Sequence, residues 1–274
     1  MEAAAAAVEA AERAAAERAA TEKQFALTSA KLGSGVRERL QRIAMVRDAT
    51  EDSDADDREP LFPESLQLSV RGLQDSDIEL LSSALEGFTG KLHSVNLSFN
   101  TIADVGACAL GKMLCSSSKL TKLYLNENQI GDEGLASLAG GMLPGGASGL
   151  EELRLSFNRF GDRGAQALAD CWKRGGGRHL RHVLLASNRI GDAGAIAFAG
   201  AVDETPLLQV LTFGNAMGGN LIGDDGARAL ANSVVDAMPH MIELNLKLNP
   251  ISPQTRQEIY SLLLNRNVLL IDLP

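Results

Sequence analysis

The chain has 274 residues, of which 26 are Lys or Arg and 35 are Asp or Glu, for a formal charge of −9 at pH 7. That charge, with no long basic run, argues against a nucleic-acid partner, since holding a phosphate backbone takes a stripe of Lys and Arg. Hydrophobic residues make up 45% and aromatic residues 4%, which predicts a folded protein with an aliphatic core, and no apolar run reaches the roughly 18 residues of a membrane span.

Residues 1–50 are predicted to form an Ala-rich helical extension. Twelve of the first twenty residues are Ala, and pairs such as Glu9 with Arg13 have helical spacing. Gly33 to Gly35 interrupts this pattern, and an amphipathic stretch, Val36 to Val46, follows. We expect the second helix to pack on the first repeat and shield the open end of the array; docking onto a partner is the alternative.

Residues 51–60 are acidic and are predicted to be a solvated linker rather than a binding tail.

Residues 61–274 are repetitive. Five clear copies of one pattern, an irregular sixth and a degenerate first copy make about seven units. In the first clear copy the apolar residues Leu92, Val95, Leu97, Ile102, Leu110 and Leu114 stand at fixed offsets around Asn100. The other copies centre on Asn128, Asn158, Asn188, Asn220 and Asn249. The degenerate copy that precedes them all has Arg71 in place of Asn. The copy around Asn220 carries about four extra residues within 214–219.

The pattern LxxLxLxxNxI followed by GDxGxxxLxxxL resembles the leucine-rich repeat, specifically its ribonuclease-inhibitor-like subclass, over about residues 62–274. The resemblance implies an α/β fold: a horseshoe-shaped solenoid with a parallel sheet on the concave side and helices on the convex side. The strand alternation agrees, since it places Leu123 and Leu125 inward and Lys122, Tyr124 and Asn126 outward.

Several recurring polar residues are predicted to be structural. An Asp precedes each helical stretch, where its carboxylate would cap the first turn of its own helix; these residues are Asp75, Asp104, Asp132, Asp162, Asp192 and Asp224. Ser252 followed by Pro253 would cap the last helix. The repeated Asn would satisfy backbone groups at the end of each strand. A final strand with Val268, Ile271 and Leu273 would close the core.

The sequence offers no catalytic, cofactor or metal site. It lacks a phosphate-binding loop and metal-ligand spacing, so we expect a non-enzyme without cofactors. Cys108, Cys115 and Cys171 form no CxxC pair. We interpret them as reduced, small core residues, which favours a cytoplasmic location.

The outward strand positions form one surface, which is the candidate partner-binding site. Tyr and Arg are enriched at interface hot spots, so Tyr124 and Arg154 are the predicted anchors, flanked by Arg159 and Arg189 on adjoining loops. The predicted partner-binding residues are Asn96, Tyr124, Asn126, Arg154, Arg159, Leu184, Arg189 and Lys247. The alternative is that this face is only the solvated side of the sheet. The insertion 214–219 is either a specificity loop or tolerated slack.

Two functions remain. The first is a non-catalytic protein-interaction module that binds protein through the concave face and the N-terminal helix without membrane insertion. In this it resembles the short intracellular members of the repeat family, which implies a scaffold or subunit of a larger intracellular assembly, cytoskeletal or ciliary. The second is regulation of a small GTPase, because the Ran GTPase-activating proteins share this repeat subclass. Those proteins have more repeats and an acidic C-terminal tail, whereas here the acidic run precedes the repeats.

Overall fold

The computed structural model describes residues 65–85, 89, 92–237, 240–264 and 268–271. The predicted N-terminal helices, the acidic linker and Leu273 lie outside these residues.

The strands form one parallel sheet in chain order, each hydrogen-bonded to the next. The seven repeats supply β1 to β7, and the predicted closing strand is β8. The strands are β1 (Ser65–Gln67), β2 (Ser94–Asn96), β3 (Lys122–Tyr124), β4 (Glu152–Arg154), β5 (His182–Leu184), β6 (Val210–Thr212), β7 (Glu243–Asn245) and β8 (Leu269–Ile271).

A helix follows each of the first seven strands and packs against the helix of the neighbouring repeat. The helices are α1 (Asp75–Ala84), α2 (Asp104–Leu114), α3 (Asp132–Gly141), α4 (Asp162–Cys171), α5 (Asp192–Ala199), α6 (Asp224–Ala237) and α7 (Pro253–Leu263). One π-helical turn (Trp172–Gly176) extends α4, and a short 3₁₀ helix (Val202–Glu204) follows α5. This alternation is the leucine-rich repeat solenoid expected from the sequence.

The core lies between the sheet and the helices. Inward strand residues such as Leu123 and Leu125 are fully buried, as the alternation predicts. Three of the few aromatic residues stack through successive repeats: the ring centroids of Trp172 and Phe198 are 4.9 Å apart, and those of Phe198 and Phe213 are 5.5 Å apart. Phe160 is a further fully buried aromatic residue, and the rest of the core is mainly aliphatic, so adjacent repeats approach closely.

The repeated asparagines tie each repeat to the one before it. The Nδ2 of Asn158 donates to the carbonyl of Leu155 in its own strand and to that of Leu125 in the preceding repeat. Its Oδ1 accepts the N–H of Ile130 at 3.0 Å. The predicted structural role is therefore confirmed. At the corresponding position of the first repeat, the backbone N–H of Arg71 donates to Oδ1 of Asn100.

The residue before most of these asparagines has a left-handed backbone. These turn positions are Phe99, Glu127, Phe157, Ser187 and Leu248, together with Val70, which precedes Arg71 in the first repeat. Their φ angles lie between 52° and 60°. A left-handed non-glycine residue is uncommon, and its recurrence shows that the turn geometry outweighs local preference.

The helix-start carboxylates cap a different helix from the one predicted. Asp132 begins α3, yet its Oδ1 accepts the N–H groups of Gly161 and Gly164 at the start of α4, at 2.7 and 2.8 Å. The other helix-start aspartates also accept backbone N–H groups of the following repeat. The prediction of capping within each repeat was wrong because the stacking brings the next helix start to the carboxylate. Ser252 caps α7 as predicted, accepting the N–H of Thr255.

The cysteines are free, but they are not all core residues. Cys171 is buried, and burial raises the pKa of its thiol to about 11. Cys108 is half-buried, whereas Cys115, at the C-terminal end of α2, is exposed. The prediction of a core role is wrong for Cys115, because it follows the last buried turn of the helix.

Candidate functional site

The outward side chains of the strands and their immediate continuations form a single surface, here called the open face. Its members, on β2 to β7, are Asn96, Ser98, Lys122, Tyr124, Asn126, Glu152, Arg154, Ser156, His182, Leu184, Val210, Thr212, Glu243, Asn245 and Lys247. Their inward neighbours are buried, so the sheet presents this surface rigidly.

The two predicted anchors, Tyr124 and Arg154, contact each other directly and both bind Glu152. Parallel register places Tyr124 beside Arg154, and Lys122 beside Glu152. The hydroxyl of Tyr124 donates to Oε2 of Glu152 at 2.7 Å, and Nε of Arg154 donates to Oε1 at 2.6 Å. The Arg154 guanidinium lies over the Tyr124 ring, with Cζ 4.6 Å from the centroid. The three side chains form an ordered cluster on β3 and β4.

This cluster changes the acidity of its members. Burial, followed by the hydrogen bond to Glu152 and its negative charge, raises the pKa of Tyr124 to about 12. Burial alone would raise the pKa of Glu152, but the hydrogen bonds from Tyr124 and Arg154 and the charge of Arg154 lower it. At neutral pH the cluster therefore holds a neutral phenol, a carboxylate and a guanidinium. Glu152 was assigned outward by the alternation but not chosen as a site residue, because its role follows from cross-strand register.

The two predicted contact amides bind the backbone of the sheet. Oδ1 of Asn96 accepts the N–H of Ser98 at 3.1 Å, and Oδ1 of Asn126 accepts the N–H of Ser156 in the next repeat at 2.9 Å. Both side chains are half-buried. They lie on the open face as predicted, but their carbonyl oxygens stabilise the sheet.

The part of the open face on β5 and β6 is largely apolar and only partly exposed. Leu184 lies beside Thr212, and Val210 lies beside His182. Leu184 and Val210 are half-buried, and Thr212 is buried. This region lies next to the Tyr124–Glu152–Arg154 cluster, so the face offers ordered polar groups and an accessible aliphatic surface side by side.

Arg159 and Arg189 lie at the edge where the strands end rather than on the strands. The N–H of Arg159 donates to the carbonyl of Ile130, and the N–H of Arg189 donates to that of Phe160. They therefore occupy equivalent positions in successive repeats. Both are exposed, and neither guanidinium has a hydrogen bond or ion pair within the part of the chain that the structure describes. Lys247 continues β7 and is half-buried.

The insertion 214–219 is a fixed loop. Oδ1 of Asn215 accepts the N–H groups of Met217 and Gly218 at 2.8 and 3.0 Å. Gly214 and Gly219 lie against the backbone of Lys247 and Leu248, where a Cβ would overlap main-chain atoms. The loop of the sixth repeat therefore packs against the seventh repeat. It leaves the side chain of Met217 74% exposed. The sequence revealed the extra residues but not their packing.

Among the described residues, no helix is long and apolar enough to cross a membrane. In the same part of the chain, His, Cys, Asp and Glu side chains do not gather in groups of three that could hold a metal ion. Of the sequence-predicted site residues, Tyr124 and Arg154 join Glu152 in one cluster beside Leu184, and Arg159 and Arg189 lie at the edge of the sheet. The other three, Asn96, Asn126 and Lys247, lie on the open face outside the cluster.

Comparisons with known proteins support the fold. The family model described as "Leucine Rich repeat" matches residues 91–111, 116–139, 150–169 and 178–199. No curated protein sequence matches the chain.

Three solved structures are similar in part. The actin-binding site 2 of leiomodin-1 is 19% identical with a TM-score of 0.45, over 60% of this chain and 88% of that one. A TDR receptor is 19% identical with a TM-score of 0.42, over 76% of this chain and 30% of that one. A Bacteroides fragilis protein is 15% identical with a TM-score of 0.42, over 84% and 71% of the two chains.

Proposed function

Because the chain folds as a leucine-rich repeat solenoid, we propose that it is a non-catalytic protein-interaction module that binds a protein partner through the open face. The observation that supports this most directly is the Tyr124–Glu152–Arg154 cluster. Its side chains are held by mutual hydrogen bonds before any partner arrives, which lowers the entropy lost on binding. Tyr and Arg are also the residue types most enriched among interface hot spots.

The cluster suits the centre of an interface. The side chain of Glu152 is only 13% exposed, whereas that of Arg154 is 41% exposed. A partner can therefore cover the guanidinium and the aromatic ring while the carboxylate stays paired below them. Leu184 and Val210 extend the contact with apolar surface, the usual composition of an interface core.

The test is crosslinking and capture from native lysate with the full chain. We expect Tyr124→Ala/Arg154→Ala to reduce partner recovery at least about tenfold, the effect of losing hot-spot side chains. Glu152→Gln removes the carboxylate that pairs with Tyr124 and Arg154 but keeps both anchors, so it should reduce partner recovery less.

The control is Tyr260→Ala/Arg178→Ala, which removes one exposed Tyr and one exposed Arg away from the open face. Circular dichroism would verify that each variant is folded. Equal recovery with the anchor variant and the unsubstituted chain would contradict the proposal, as would equal losses in the anchor and control variants.

We propose further that the chain is a scaffold or structural subunit of an intracellular assembly. The composition of segment 1–50 supports this, because the Ala-rich helix that its sequence predicts would have few large apolar residues, bury little surface alone and suit a second attachment. If so, the native protein should sediment in lysate with a complex larger than its own 29.0 kDa.

A further inference from the structure

The edge of the sheet beside the insertion has a chemistry of its own, distinct from that of the Tyr124–Glu152–Arg154 cluster. Arg159, Arg189 and Leu221 occupy the same turn position in three successive repeats. The N–H of each donates to the preceding repeat: Arg159 to the carbonyl of Ile130, Arg189 to that of Phe160, and Leu221 to that of Ile190. Two cations are therefore followed directly by an exposed leucine, 62% accessible.

The insertion widens the apolar end of this row. Gly218 lies on the side chain of Ser187 and Gly219 lies on the backbone of Leu248, so the loop covers the edge between these two turns. Met217 is 74% exposed and Leu248 is 52% exposed. Exposed apolar side chains on a fixed loop indicate a contact surface rather than a flexible connection.

The guanidiniums of Arg159 and Arg189 make no ion pair with the nearest carboxylates in sequence. Asp162 and Asp192 follow them by three residues, but these carboxylates accept backbone N–H groups of the next repeat. No ion pair involves Arg159 or Arg189 among the residues that the structure describes. In a chain of net charge −9, a local pair of free guanidiniums favours a carboxylate-bearing partner, since the guanidinium fork matches carboxylate geometry.

We propose that this edge, defined by Arg159, Arg189, Met217, Leu221 and Leu248, docks an acidic segment of a partner protein that also carries a large apolar residue. The carboxylates of the segment bind the two arginines, and its apolar side chain packs between Met217 and Leu248. The proposal deepens the proposed function, because it assigns the chemical class of the partner at the edge of the same surface.

The test uses three synthetic peptides and the full chain, with affinity measured by isothermal titration calorimetry at low salt. The first peptide, Asp-Glu-Asp-Glu-Leu-Phe-Asp-Glu, has both features. The second replaces Leu-Phe by Ser-Ser, and the third replaces every Asp and Glu by Asn and Gln. We expect the first to bind, and each of the other two to bind at least about fivefold more weakly, as partial loss of surface contacts implies.

Variants of the protein separate the two contacts. Arg159→Gln/Arg189→Gln should weaken the first peptide about tenfold and leave the third unchanged, because only charged contacts are lost. Met217→Ser should weaken the first peptide and leave the second unchanged. The matched control, Arg174→Gln/Arg178→Gln, removes two exposed arginines from the connector after α4 and should have little effect.

Failure of the first peptide to bind would overturn the inference, and so would equal weakening by the two arginine pairs, which would indicate unspecific charge attraction. These outcomes leave the proposed function intact if Tyr124→Ala/Arg154→Ala still reduces partner recovery at least about tenfold. Loss of that effect, with the peptide still bound at the edge, would instead contradict the proposed open-face site alone.

Discussion

At the scale of single residues, the open face depends on a half-buried carboxylate between two anchors. Glu152 accepts hydrogen bonds from both Tyr124 and Arg154, and burial together with the hydrogen bond to Glu152 raises the pKa of the Tyr124 phenol. Alternation along the strands predicted that all three point outward. It could not predict their hydrogen bonds, because these depend on which residues of β3 and β4 lie side by side, and register is a property of the assembled sheet.

The raised pKa of Tyr124 gives a direct test of this cluster. In a Tyr260→Phe background Tyr124 is the single tyrosine of the chain. Its ultraviolet ionisation in the folded protein should have a midpoint near pH 12, and Glu152→Gln should lower that midpoint. The pKa of Tyr124 is higher in the folded protein than in the unfolded chain. The contribution of Tyr124 to the free energy of unfolding is therefore fully present below about pH 10 and is lost as the pH rises toward 12. A midpoint near pH 10 with native circular dichroism would contradict the geometry.

The repeated asparagines give a second prediction with a control in the next repeat. Asn158 and Asn188 each donate to three carbonyls. Oδ1 of Asn158 also accepts an N–H, whereas the buried Oδ1 of Asn188 has no hydrogen-bond partner among the residues that the structure describes. Asn158→Ala should therefore reduce the free energy of unfolding more than Asn188→Ala, by about 1 kcal/mol, the net value of one hydrogen bond. Chemical denaturation would measure both. A larger loss for Asn188→Ala would contradict the assignment.

At the scale of elements, the helices depend on the preceding repeat. The sequence predicted where the helices begin, because an Asp marks the start of α1 to α6, and Ser252 followed by Pro253 marks the start of α7. It did not predict the direction of the caps. The Cβ of any residue in place of Gly134 would lie 2.6 Å from Oδ1 of Asp104, which shows why the third position is a glycine: it lets the carboxylate of the previous repeat reach the amides.

Hydrogen exchange can distinguish capping across repeats from capping within one repeat. Asp132→Ala should accelerate exchange of the Gly161 and Gly164 amides at the start of α4, which bind Asp132. The expected cost is about 1 kcal/mol, as for other lost caps. The control is Asp225→Ala, since that exposed carboxylate pairs only with Arg228 among the described residues. Acceleration confined to the first turn of α3 would contradict this account.

At the scale of the whole molecule, the resemblance of the repeats to the leucine-rich repeat predicted the solenoid. The alternation along the strands predicted its outward face, and the apolar run around Ile271 predicted β8. Each repeat contacts mainly its neighbours, so local pattern determines global shape in this architecture. The insertion is the exception. Its extra residues were evident, but its packing on Ser187 and Leu248 depends on two other repeats, which no local pattern encodes.

The central claim is that the sheet side, rather than the helix side, binds the partner. Site-specific photocrosslinking in native lysate tests it most directly, with p-benzoylphenylalanine placed at Lys122 or Leu184 on the open face, or at Ile196, which is exposed on α5. We predict one common crosslinked protein from both open-face positions and none of it from position 196. Its crosslinking should fall with Tyr124→Ala/Arg154→Ala. The same protein crosslinked from position 196 alone would contradict the claim.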